Sequence, residues 1–318
     1  IIDLLKHDYQ VIGTIKDMSR EKSLRKIFSK LNLDNDKVIF RKADLRNSEE
    51  VLSAIDGCDN IFHTASPVPI VQPKTRKEIS ELIEIAEFGT LNVLRAAMRH
   101  SIDRVILTSS VATIFGSDRA KTTYNSSDWA DSEGKNVNPY SKSKILAEQT
   151  AWKFCSEHSI NLTTIHPALV LGPALEEDYG SSLEAVIKLL RKDLPLIPNF
   201  GFEIVDVRDV ASLHRIAMEK SSCIGERLIA SKDFMWFQSV AKILSDLYPE
   251  RGIPTRLMPD LITKFLGNFI PQLQPITDSL GDERKIDNQN SIDLGWSPRS
   301  LKETISDSAE SLIQFGLI

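Results

Sequence analysis

Tyr140 and Lys144 stand four residues apart in the run Asn138-Pro139-Tyr140-Ser141-Lys142-Ser143-Lys144. On a helix that spacing puts both side chains on one face. An isolated phenol ionises near pH ~10, too high for ready proton exchange at neutrality. An ammonium beside it favours the phenolate and is expected to lower that value, which suits the pair to acid–base chemistry on an alcohol or a carbonyl. Upstream, Thr108-Ser109-Ser110 closes the apolar run Val105-Ile106-Leu107. A hydroxyl at such a strand end can hold a substrate oxygen and stabilise charge that develops there. Each feature also has a plainer explanation: charges on a solvated helix face for the pair, a cap for the next element for the hydroxyls. Their succession, hydroxyls at one strand end and a Tyr/Lys pair opening the next long helix, is what favours a site.

The elements that must position these groups follow from apolar spacing. Short β-branched runs at Val11–Ile15, Val38–Phe40, Asn60–Thr64, Arg104–Thr108 and Leu162–Ile165 read as strands. Between them lie helical patterns at Ser19–Leu31, Ser48–Ile55, Lys77–Arg99 and Pro139–Glu157, the first with Leu24, Ile27, Phe28 and Leu31 along one side. Strands alternating with helices make βαβ units, hence a parallel sheet with helices on both faces. Ligands of such sheets sit beyond the C-terminal strand ends. After about residue 171 the alternation loosens, and prolines from Pro173 to Pro275 break the chain into short pieces. The expected organisation is a doubly wound dinucleotide-binding domain over residues 1–170, with 203–231 returning to its sheet. Residues 171–202 and 232–318 form a smaller C-terminal substrate-binding region.

Composition narrows the class. The 318 residues carry a net charge of −5, and no Lys/Arg block suggests a nucleic-acid surface. The cluster Arg20, Lys22, Arg25, Lys26 and Lys30 reads as a solvated helix face. Three cysteines, Cys58, Cys155 and Cys223, are too scattered for a disulfide framework or a zinc site, which fits a reducing, cytoplasmic setting. The six histidines are scattered too, so no metal centre is expected. No apolar run is long enough to span a bilayer.

Taken together, the motifs resemble the extended short-chain dehydrogenase/reductases, within the NAD-dependent epimerase/dehydratase superfamily, and among them the dihydroflavonol-reductase-like branch. The resemblance rests on Leu107-Thr108-Ser109-Ser110-Val111-Ala112 and Asn138–Lys144, and on further stretches in the same order. These are Lys42-Ala43-Asp44-Leu45, Phe62–Pro67, Gly89–Leu94, His166–Pro173, Val205–Ala211 and Leu294–Pro298. It implies a Rossmann-type fold and an oxidoreductase acting on a small-molecule carbonyl or alcohol. Ser110 would hold the carbonyl oxygen, with Ser109 the adjacent alternative. Tyr140 would give the proton, and Lys144 would bind the ribose and tune Tyr140. It further implies cofactor contacts from Asp44 and Leu45, from His63, Ala65 and Ser66, from Thr108, and from Pro167, Leu169 and Val170. His63 and His166 read more simply as satisfied structural histidines.

Cofactor choice turns on the end of the strand Val11–Ile15. A carboxylate there favours NAD and a basic side chain the 2′-phosphate of NADP. Lys16 stands where relatives commonly carry Arg, which points to NADP(H), with NAD(H) the alternative; Asp17 reads as a turn residue. The family's Gly-rich turn is not present, and Ile1–Lys6 reads as the helix that should follow it, so the expectation is an N-terminally truncated sequence. Substrate walls are expected in Phe115–Val137 and among Trp129, Tyr179, Phe200, Phe202, Phe234, Trp236 and Phe237. Remaining alternatives are a nucleotide-sugar epimerase or dehydratase, a hydroxysteroid dehydrogenase, and a non-catalytic NADP-sensing protein. Ala168–Pro173, in place of an Asn-x-Tyr-Gly-Pro-like stretch, argues for the reductase branch. No nucleic-acid or membrane partner is expected, and the chain is read as a monomer or homodimer.

Overall fold

The computed structural model describes the chain except for residues 70–72, 116–120, 135–136, 268, 270–273 and 278. Part of the expected substrate loop, 116–120 and 135–136, therefore lies outside the described residues. In chain order the elements are α1 (Ile2–Lys6), β1 (Val11–Ile15), α2 (Glu21–Lys30), β2 (Val38–Lys42), α3 (Ser48–Ala54), β3 (Ile61–His63), α4 (Arg76–Arg99) and β4 (Arg104–Thr108). Then come β5 (Thr123–Tyr124), α5 (Pro139–His158), β6 (Asn161–Pro167), β7 (Leu169–Leu171), α6 (Glu184–Leu190), β8 (Gly201–Asp206), α7 (Val207–Glu219) and β9 (Arg227–Ala230). The chain closes with β10 (Asp233–Trp236), α8 (Phe237–Leu247), α9 (Asp260–Gly267), α10 (Gln274–Thr277), β11 (Lys285–Ile286), α11 (Gln289–Ile292) and α12 (Leu301–Gln314). Short 3-10 turns join several of these.

The chain divides into two compact units. The first holds Ile1–Arg119, Ser126–His166 and Ala211–Ile229. Its strands form the order β3-β4-β6-β9 and a separate pair β1-β2. The pairs β1–β2, β3–β4 and β4–β6 are all parallel, as the βαβ pattern requires. Val105, Ile106 and Ile165 are wholly buried because these strands are covered on both faces. One core joins Val51 of α3, Val93, Leu94 and Ala97 of α4, Val105 and Leu107 of β4, Ala151 and Cys155 of α5 and Leu162 of β6. Each fully buried aliphatic side chain there contributes about 1.5–3 kcal/mol.

The two long helices start where their caps dictate. Thr75 and Glu78 form a reciprocal capping box at α4. At α5 the Asn138 side chain accepts from the Ser141 N–H at 2.8 Å, and Pro139 occupies the first turn, where its missing N–H costs nothing. That cap fixes where Tyr140 and Lys144 begin. All three cysteines are free, and among the described residues no cluster could hold a metal ion and no helix is long and apolar enough to cross a membrane.

The second unit holds Ala120–Asn125, Pro167–Val210 and Ala230–Ile318. Its three-stranded sheet runs β10-β8-β7, with β8 antiparallel to β10 and parallel to β7. The sequence placed 203–231 back in the main sheet; β9 is there, but β8 pairs within this second sheet. In the β8–β10 register Gly201 stands opposite Trp236. A Cβ at Gly201 would collide with the Phe234 ring and stand 2.7 Å from the Met235 carbonyl oxygen, so only glycine fits. Val186, Ile187, Leu190, Ile204, Val240, Leu244, Ile305 and Leu312 form its core. Phe200, Phe202 and Phe237 pack ring against ring, at centroid distances of 5.0–6.0 Å. A cavity of about 180 Å³ is lined by Pro198, Asn199, Phe200, Trp236, Gln238 and Leu257.

Candidate active site

Tyr140 opens the first turn of α5 and Lys144 follows one turn later. Ser110 ends the loop stretch that leaves β4. The Ser110 hydroxyl accepts from the Ala112 N–H at 3.1 Å, capping a short turn, and also meets the Tyr140 phenol. The capping role and the site role therefore coexist in one side chain. Ser109 turns the other way: its hydroxyl donates to Glu148 Oε2 at 2.5 Å. Of the two neighbouring serines, Ser110 is the one brought to Tyr140.

Lys144 is 6% exposed. Its ammonium donates to the Thr108 carbonyl oxygen at 3.2 Å, which ties α5 to the end of β4. Burial pulls the Lys144 ammonium down to about 8, against the opposing pull of Glu148. The expected lowering of the phenol by Lys144 is not found. Burial pushes Tyr140 above its ordinary value, and the Ser110 hydroxyl only partly offsets this. A phenol raised in this way stays protonated at neutrality, ready to donate.

Thr108 also meets His214 of α7, Oγ1 to Nε2, at 2.7 Å. His63, at the end of β3, is buried, and its Nε2 lies 3.2 Å from Thr90 Oγ1. Because Thr90 donates to the Ala86 carbonyl oxygen, it can accept from His63, which assigns the Nε2–H tautomer. Burial, with the nearby Lys144 charge, pulls His63 down to about 4, so the ring is neutral beside the site. Of the other residues after β3, Ala65 is exposed and Ser66 half-buried.

A second group of expected residues gathers where β1 and β2 end. Lys16 is 71% exposed and sits 3.3 Å from Asp44 Oδ2. Arg46, which the sequence reading missed, grips the same carboxylate at 2.6 Å and 3.0 Å. The Arg46 contacts, joined by Lys16, hold Asp44 well below the usual carboxylate range. Two cations share one anion, which leaves a surplus of positive charge at this edge. Leu45 packs where α4 passes closely at Gly89, a position where a Cβ would lie 3.0 Å from the Leu45 side chain. Asp17 proves to be a turn residue, its carboxylate accepting from the Ser19 N–H at 2.9 Å. Pro167, Leu169 and Val170 belong to the second unit, at the junction of β6 and β7.

The largest omission of the sequence reading is Glu148, on α5 one turn beyond Lys144. It is 1% exposed and accepts from Ser109, from His166 Nε2 at 2.9 Å, from Arg227 Nε at 2.8 Å and from Thr164 and Trp152 at 3.3 Å each. Burial pushes its carboxyl up, but His166 and Arg227 overcome this and hold it well below the ordinary range. His166 is thus a structural histidine, its Nδ1 facing the Leu228 carbonyl oxygen at 3.3 Å. Arg227 also reaches the carbonyl oxygens of Ser126 at 2.7 Å and Asp128 at 2.6 Å, and the Thr113 hydroxyl at 3.1 Å. Its guanidinium lies 3.8 Å from the Trp129 ring centroid. The available signal was the four-residue ladder Tyr140, Lys144, Glu148, which continues the face that the pair defines.

The model of the NAD dependent epimerase/dehydratase family matches residues 2–228. The chain is 32% identical to cinnamoyl-CoA reductase 1 of Arabidopsis thaliana over 317 residues, covering 98% of this chain and 85% of that protein. It is 30% identical to the NADPH-dependent methylglyoxal reductase of Saccharomyces cerevisiae, covering 99% and 94%. The crystal structure of yeast methylglyoxal/isovaleraldehyde reductase Gre2 complexed with NADPH superposes with a TM-score of 0.78 at 29% identity, over 99% of this chain and 94% of that one.

Proposed function

The chain belongs to the NAD dependent epimerase/dehydratase family, and on that premise we propose that it reduces an aldehyde or ketone to an alcohol with NADPH, Tyr140 giving the proton. The observation that carries the reading is the meeting of the Tyr140 phenol with the Ser110 hydroxyl, with the Lys144 ammonium one helical turn away. The relatives named above are reductases, one of them named as NADPH-dependent and one solved with NADPH.

The residues present fit that cofactor. The surplus positive charge of Lys16 and Arg46 over Asp44 suits a phosphate on the adenosine ribose. Lys144, Thr108 and His63 line the strand ends where the nicotinamide half would be held, with Asp44, Leu45, Ala65 and Ser66 on the adenosine side. When bound, NADPH supplies the hydride. Ser110 donates to the substrate oxygen and fixes its place. Tyr140 then transfers its phenolic proton to that oxygen as negative charge develops. Lys144, one turn along the same helix, would bind the ribose of the cofactor.

The test is NADPH oxidation by the purified protein against a panel of aldehydes and ketones, with Tyr140→Phe as control. Turnover is expected to fall by about 10²–10⁴ in the variant, while NADPH binding followed by fluorescence persists. Undiminished turnover in Tyr140→Phe would sink the assignment.

A further inference from the structure

We propose that Glu148 is a positioning residue for the Tyr140–Lys144 pair: one turn beyond Lys144 on the same helix it sets a buried carboxylate behind the pair, and its bond to Ser109 fixes the strand end that presents Ser110. The inference rests on the reading of Tyr140 and Lys144 given above. Glu148 takes no part in that chemistry itself.

An isolated carboxylate 1% exposed is strongly unfavourable, so a Glu in this place needs a reason beyond helix formation. His166 and Arg227 meet its charge through Oε1. Oε2 is directed at Ser109, the residue beside Ser110. The carboxylate therefore joins the helix of the proton donor to the loop of the oxygen-holding hydroxyl, from beneath both.

Its charge acts where Lys144 needs it. The acceptor that Lys144 reaches is the neutral Thr108 carbonyl, and among the described residues it makes no ion pair. The charged and titratable groups felt by Lys144 are Glu148 on its own helix and His63 from β3; those facing Glu148 are His166 from β6 and Arg227 from β9. His63 is neutral, so Glu148 supplies the opposing charge. Burial lowers the Lys144 ammonium to about 8, and Glu148 resists that fall.

The experiment is the pH dependence of kcat/KM for the intact protein, for Glu148→Gln and for Glu148→Asp, with Tyr140→Phe alongside. Glu148→Gln keeps the shape and removes the charge, so the alkaline limb should move down by about one pH unit. Glu148→Asp keeps the charge and retracts it from Ser109, so the limb should stay in place while kcat falls about tenfold. A Glu148→Gln enzyme with lowered kcat and an unmoved limb would make the residue merely structural and overturn the proposal. Should that variant not fold, Glu148→Asp decides alone: a displaced limb with the charge retained overturns it. Turnover retained in Tyr140→Phe would instead mark a failure of the catalytic reading.

Discussion

The ammonium of Lys144 donates to the carbonyl oxygen of Thr108 at 3.2 Å, so one side chain ties the helix that carries Tyr140 to the strand that leads to Ser110. A buried ammonium bears a desolvation cost that an apolar side chain of similar length does not. Lys144→Met is therefore expected to lower turnover by about 10²–10⁴ and to leave thermal stability unchanged or higher. Steady-state kinetics and thermal denaturation of the same preparation separate the two effects. A large loss of stability would show that Lys144 is held for folding.

Lys16 and Arg46 share the Asp44 carboxylate, but Lys16 is the more exposed of the two, at 71% against 59%. If the surplus charge selects the 2′-phosphate, Lys16→Ala should raise KM for NADPH by about tenfold and leave KM for NADH nearly unchanged. Parallel titrations with the two cofactors read this directly. Equal effects on both would remove Lys16 from the discrimination.

Glu203 of β8 gives stability a pH dependence of its own. Burial pushes its carboxyl from an ordinary 4.5 up to about 7, outweighing the bonds from the Ser231 hydroxyl and the Ile286 N–H. The folded state keeps this proton over a range where the unfolded chain has lost it. Stability from this group is whole below about pH 4.5 and falls as pH rises towards 7. Glu203→Gln does not titrate; its carbonyl can accept from Ile286 and its amide can donate to Ser231. The variant should exceed the parent by about 1–3 kcal/mol at pH ~8 and by much less at pH ~5. Denaturant unfolding at the two pH values checks the sign.

Local spacing carried the sequence reading a long way. The apolar run at Arg104–Thr108 and the amphipathic pattern of Ser19–Leu31 declare a strand and a helix because burial on two faces or on one leaves different periods. Tyr140 and Lys144 were visible for the same reason. Glu148 was not, although it lies on the same face. A glutamate on a helix is ordinarily solvated, and what buries this one is Arg227, far along the chain on β9. The return of 203–231 to the main sheet was misplaced at Gly201–Asp206, because apolar spacing does not name a strand's partner and this one pairs with Asp233–Trp236 and Leu169–Leu171. The raised phenol of Tyr140 was equally out of reach, because motif spacing carries the charge of Lys144 but not the depth at which the ring is buried.

The reach of Arg227 bears on how the loop before α5 is held. The guanidinium grips Ser126 and Asp128 by their main-chain oxygens. That grip is indifferent to which side chains stand at the two positions. The main-chain part of the mooring to the helix of Tyr140 is therefore written in Arg227 and Glu148, not in the residues it holds. Trp129, stacked on the same guanidinium, is the exception. Through the single side chain of Arg227, a strand late in the sequence thus holds both a buried helix carboxylate and an earlier loop.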